Sequence, residues 1–210
     1  MHGSNDLIAF SLLALGMALT PGPNMIYLLS RSITQGRLAG MTSLGGVALA
    51  FLFYMLFASF GITALLLAVP YAHDALRFGG AAYLLYLAWQ AVRPGAKSPF
   101  EVQKLRREAP SRLFTMGFIT SFLNPKAAVF YLSLLPQFIH PENGSIFGQS
   151  VTLGLTQISI SLSVNAIVIL IAGSMAGFLA SRPTWLVVQR WVMGTVLAGL
   201  AVRLATDTRR

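Results

Sequence analysis

The chain has 210 residues, 55% of them hydrophobic and only 10% charged, against about 25% charged in a soluble domain. That excludes an ordinary soluble globule and points to one integral membrane domain built from several helices. The net charge is +9, yet the basic residues fall mostly in short connections between apolar runs. This is the pattern of cytoplasmic loops, so no nucleic-acid partner is expected.

A spanning helix needs about 20 apolar residues, and six runs qualify: 7–29, 39–68, 72–92, 113–138, 147–180 and 185–205. Residues 1–6 carry no Lys or Arg and no small-residue cleavage site follows, so no signal peptide is expected. The first run contains Thr20-Pro21-Gly22-Pro23-Asn24. Proline removes a backbone donor and clashes with the preceding turn, and glycine is a poor helix former, so the helix is expected to break here. A second half-helix then starts either with Thr20 as cap and Pro21 as first residue, or with Gly22 and Pro23 in those places.

The second and fifth runs are longer than a bilayer requires, which implies tilt or an interfacial turn. The third stops at Arg93-Pro94-Gly95. Residues 97–112 form the single long polar stretch, read as a surface loop within one domain. Repeat one is expected at about 1–95, the loop at 96–112 and repeat two at 113–206. The fourth run is interrupted by Asn124-Pro125-Lys126, with Asn124 as cap and Pro125 as first helical residue.

Each break is expected to open a half-helix N-terminus near the bilayer midplane. Such a terminus presents unpaired N–H groups and partial positive charge, which favour an anion. Lys126 is read as the only charged residue deep in any span, which is costly unless it faces the bundle interior or a partner. It completes a cationic pocket for a carboxylate and is the candidate for coupling to proton movement. In the fifth run Gln157, Ser161 and Asn165 share one helix face. They line a polar pathway that receives a substrate amino group, or else they bond neighbouring helices. Gly36-x-x-x-Gly40 and Gly173-x-x-x-Gly177 are read as packing motifs.

Lys and Arg asymmetry sets the orientation. Arg31, Arg37, Arg93, Lys97, Lys104, Arg106, Arg107, Arg112 and Arg182 fall on one side; Arg77, Arg203, Arg209 and Arg210 fall on the other. The richer side is assigned to the cytoplasm, with both termini outside. The halves also resemble each other: with Pro21 over Pro125, Phe10 lies over Phe114, Tyr27 over Tyr131 and Leu28 over Leu132. Three spans per half would make the repeats inverted, with equivalent broken helices around a midplane site.

His2, His73 and His140 fall on the outer side, with Asp6, Asp74 and Glu142 as the available carboxylates, so no metal site is expected. No cysteine is present, and apart from His73 and Asp74 at the outer start of the third run no acid or His lies in a span, so an enzyme is not expected. No phosphate-binding loop is present, which excludes ATP-driven transport by this chain alone. No cofactor is implied.

Thr20-Pro21-Gly22-Pro23-Asn24 resembles the first signature of the LysE/RhtB family of amino-acid exporters. Phe122-Leu123-Asn124-Pro125-Lys126-Ala127 is similar to the second. Gly80-x-x-Tyr83-Leu84-x-Tyr86-Leu87 and Arg190-x-x-x-Gly194 fit the third and sixth spans. The resemblance covers nearly the whole chain. It implies six spans, a bacterial inner-membrane location, and export of neutral or basic amino acids or related metabolites, driven by the proton gradient. The family motifs fall on Thr20 through Asn24 and Asn124 through Lys126. Many relatives carry an acid in the second span, where this chain reads Gly46-Val47-Ala48-Leu49-Ala50-Phe51. Coupling is then left to Lys126 or to the substrate, or transport is uncoupled. The alternatives are a non-transporting membrane scaffold and a metal-cation exporter. The small-residue motifs make a homodimer plausible.

Overall fold

The computed structural model describes residues 4–20, 22–68, 72–93 and 106–180, together with scattered positions between 187 and 206. The described residues are almost wholly helical and contain no strand, as expected of an all-α membrane protein. Helix α1 is Ser4–Leu19, α2 is Pro23–Gln35, α3 is Arg37–Ala68 and α4 is Ala72–Val92; α5 is Pro110–Phe122, α6 is Pro125–Val129 and α7 is Ile146–Ala180. Helix α6 runs on through a π turn at Phe130–Leu134 and a 3-10 turn at Leu135–Phe138.

Two segments, Arg37–Gly61 and Ile146–Ala172, are long and apolar enough to cross a membrane as straight helices. Two further segments qualify only as bent pairs. Asp6–Leu19 and Pro23–Gln35 meet at 52°, and Pro110–Phe122 and Lys126–Phe138 meet at 53°. The breaks therefore fall at the two proline motifs. Helices α3 and α7, with 32 and 35 residues, are about 48 and 52 Å long at 1.5 Å per residue, well beyond the hydrocarbon core. The third run is a helix over the expected residues, whereas most of the sixth lies outside the described residues.

Close packing of α3 against α5 brings the two halves together. A Cβ on Gly46 would stand 2.0 Å from the Phe114 carbonyl oxygen, and one on Gly117 would stand 2.1 Å from the Ser43 oxygen. The backbones touch there, so glycine is required on both sides. Gly40 serves the packing expected of it, since a Cβ would meet Ser32 Oγ at 2.1 Å. Gly36 turns the chain between α2 and α3 with φ at 96°, a conformation that suits glycine. The surroundings of Gly173 and Gly177 are outside the described residues.

The core is one apolar cluster reaching from Phe10 in α1 through Leu28, Val47, Tyr131 and Leu153. Phe10 meets Phe130 and Phe138 edge-on at 5.6 and 5.2 Å, which ties α1 to the far half of the second broken span. At the end of the molecule where α1 starts, His140 pairs through Nε2 with Asp6 and through Nδ1 with Glu142, at 3.3 and 3.2 Å. The two carboxylates sit on opposite ring nitrogens, and among the described residues no group of acids and histidines converges on a metal position. His2 is outside the described residues, as are the side chains of His73 and Asp74.

One expectation is corrected. Arg31 is not in a loop beyond the first span: α2 continues to Gln35, and Arg31 is 2% exposed within it. Arg31 is therefore a second cation within the described spans. The Arg31 guanidinium donates from Nη1 to the Arg106 carbonyl at 2.7 Å and lies over the Tyr27 ring, 5.5 Å from its centroid. One turn on, Gln35 exchanges two hydrogen bonds with the Glu108 backbone, at 2.6 and 2.9 Å. These bonds pin the end of the polar loop to α2 and offset the cost of burying the arginine.

Candidate functional site

At the first break the chain takes the later of the two arrangements. Thr20 ends α1 rather than starting α2, since both its N–H and its hydroxyl donate back to the Gly16 carbonyl, at 3.1 and 2.8 Å. Gly22 is the cap of α2, in extended conformation, and Pro23 is the first helical residue. Gly22 has no side chain, so no side-chain cap covers the α2 N-terminus. Pro21 lies outside the described residues.

The second break is built differently. Asn124 Oδ1 accepts from the Lys126 N–H at 3.0 Å, as a cap should. The Asn124 carbonyl also accepts from Ala127 and Ala128, at 3.0 and 3.1 Å. Pro125 has no N–H to offer, and its side-chain surroundings are outside the described residues. The first donors of α6 are therefore taken, contrary to the expectation of two open termini. The short chain reversal at Asn124 satisfies them locally.

Lys126 joins the two breaks. Its Nζ donates to the Met17 carbonyl at 2.6 Å and to the Thr20 carbonyl. These are end carbonyls of α1, which lack helical partners and carry partial negative charge. An ammonium has three donors, so one remains after these two bonds. The lysine also runs beside the first break: a Cβ on Gly22 would lie 3.5 Å from its Cδ and Nζ.

Lys126 lines a cavity between the broken spans and α7. The polar wall consists of Thr20, Asn24, Asn124, Lys126, Gln157, Ser161 and Asn165, with the Gly22 backbone. Met17, Ala18, Met25, Phe51, Ala127 and Phe130 form the apolar wall. The space is about 450 Å³ with its open mouth included. Of the site residues expected from sequence, Pro23 alone among those whose surroundings are described does not line it. Gln157, Ser161 and Asn165 come from successive turns of α7, and all three are buried.

The polar wall is held in place from behind. Asn24 Nδ2 donates to Ser121 Oγ at 3.0 Å, linking α2 to α5. Asn165 Nδ2 donates to the Ser161 carbonyl at 2.8 Å. Tyr131 donates its hydroxyl to Gln157 Oε1 and stacks on Tyr54, with ring centroids 5.5 Å apart. Sequence reasoning did not single out Ser121, Tyr131 or the apolar wall; the half-chain overlay of Tyr27 on Tyr131 was the one available signal.

A family model described as LysE type translocator matches residues 15–208. The chain belongs to this family. As a LysE type translocator it is a membrane transporter, not an enzyme or a passive scaffold. It is 29% identical over 204 residues to the leucine efflux proteins of Salmonella typhimurium and Salmonella typhi, covering 92% of this chain and 91% of theirs. It is 27% identical over 213 residues to an uncharacterized membrane protein of Pseudomonas aeruginosa, covering 98% of this chain and 97% of that one. No solved structure matches this translocator significantly.

Proposed function

We propose that this translocator exports amino acids from the bacterial cytoplasm across the inner membrane. The observation that carries the reading is Lys126. Its ammonium is fixed by two α1 carbonyls, keeps one donor unspent, and stands in the cavity beside the α2 N-terminus, which no side chain caps. Lysine and helix terminus together suit a carboxylate. Relatives named leucine efflux proteins support a neutral amino acid as the other half of the match.

The full chain is proposed to carry six spans as two inverted repeats within one domain, with both termini outside and the loop around residue 100 in the cytoplasm. The nearly equal bends at the two breaks support this. Rocking one repeat against the other would expose the cavity to each side in turn. Proton antiport is proposed as the driving reaction. Lys126 is the one ionisable side chain among the described cavity residues and so the coupling candidate. A homodimer is proposed as the assembly.

The test is counterflow in proteoliposomes with a panel of labelled amino acids, with and without a pH gradient. Exchange of a neutral amino acid, accelerated by the gradient, is the expected result. No exchange with any amino acid would refute export, and exchange indifferent to the gradient would refute proton coupling.

A further inference from the structure

Two of the cavity residues carry an amide oxygen with no partner among the described residues. Asn165 and Asn24 are each more than nine-tenths buried, and Oδ1 of each is buried without a hydrogen bond. For Asn165 the orientation is fixed, because the Ser161 carbonyl can only accept and so holds the amide nitrogen. Asn24 has its nitrogen on Ser121. Both asparagines line the cavity, and their chain neighbours Met25 and Val164 belong to one small apolar cluster. A buried acceptor left unmade is costly in a folded protein, and a site that keeps two invites a donor from a ligand.

We infer that Asn165 and Asn24 receive the ammonium group of the substrate, and that this neutral seat limits the substrates to α-amino acids with a single ammonium and an apolar side chain. The inference rests on the export reading above. The zwitterion's carboxylate is matched by the Lys126 cation, while its ammonium meets dipoles rather than a charge. No carboxylate lines the cavity among the described residues. A second ammonium, as on lysine, would face Met17, Met25, Phe51 and Phe130 and leave its donors unmade.

The experiment is competition against counterflow of labelled leucine in wild-type proteoliposomes. The competitors are leucine, 2-hydroxy-4-methylpentanoate, 4-methylpentanoate and lysine. The des-amino acid keeps the carboxylate and the side chain and lacks only the donors. Leucine is expected to compete at least about tenfold more strongly than 4-methylpentanoate and lysine, with the hydroxy acid between. In Asn165→Leu the preference for leucine over 4-methylpentanoate should fall to within about twofold. A purely structural role would weaken both competitors equally and leave the ratio intact. The inference is overturned if the des-amino acid or lysine competes as well as leucine in the wild type, or if Asn165→Leu keeps the wild-type ratio. Absence of counterflow with every amino acid is a different result, which overturns the export reading and the seat with it.

Discussion

The two broken spans bend by nearly the same angle, 52° and 53°, yet their breaks are finished in opposite ways. At the second, Asn124 covers the new helix with its own side chain and carbonyl. At the first, Gly22 accepts only from the Ile26 N–H through its carbonyl and has no side chain to cap with. The side chain that completes the first break comes from the second, because Lys126 crosses to the carbonyl end of α1. One break is thus closed and supplies a cation, and the other is open and receives it. Similar sequence signals, a polar or glycine residue followed by proline, give similar bends and different electrostatics. The cap residue decides which.

Removing the cation should have the largest effect. Lys126→Met leaves the Met17 and Thr20 carbonyls without their donor and the cavity without its charge. A charged hydrogen bond is worth about 1.5–3 kcal/mol, so export should drop at least about tenfold while the amount of protein in the membrane stays near wild type. Transport at the wild-type rate would show that the crossing lysine has no part in it.

The crossing also requires the halves to stay in contact, which α3 and α5 ensure at Gly46. Gly46→Ala drives a methyl onto the Phe114 carbonyl. The helices must separate, at a cost of about 1–3 kcal/mol, readable as a lower melting temperature in detergent.

The caps themselves separate the two breaks. Asn124→Ala should destabilise by about 1 kcal/mol, the usual value of a lost side-chain cap. Gly22→Ala should cost less, about 0.7 kcal/mol, since glycine ranks a few tenths below asparagine as a cap. Its φ of −152° is open to any residue, and the added methyl meets Lys126 only at ordinary contact distance. Equal losses in thermal unfolding for the two variants would remove the distinction between a closed and an open break.

Much of this site was legible in the chain. Proline after a small or polar residue inside an apolar run located both breaks, and a spacing of four placed Gln157, Ser161 and Asn165 on one face. The capping role of Asn124 followed from residue type alone. What stayed hidden depends on tertiary contact. Nothing local tells that Lys126 reaches back to α1, or that Ala127 and Ala128 already use the Asn124 carbonyl. Counting Arg31 with the loop residues followed the usual rule for basic residues. It failed because the Arg106 carbonyl and the Tyr27 ring form a seat for the guanidinium that no local pattern announces. Gly46 and Gly117 gave no periodic signal either, since a backbone crossing needs one small residue on each helix.

The central claim is that the lysine of the closed break receives the substrate's carboxylate at the open one. Equilibrium binding to the purified protein tests it directly, comparing leucine with leucinamide, which keeps the ammonium and the side chain and lacks the carboxylate charge. The account predicts that the wild type binds leucine well and leucinamide poorly, and that Lys126→Met binds leucine no better than leucinamide. Wild-type affinity for leucine in Lys126→Met, or equal binding of the two ligands by the wild type, would contradict it.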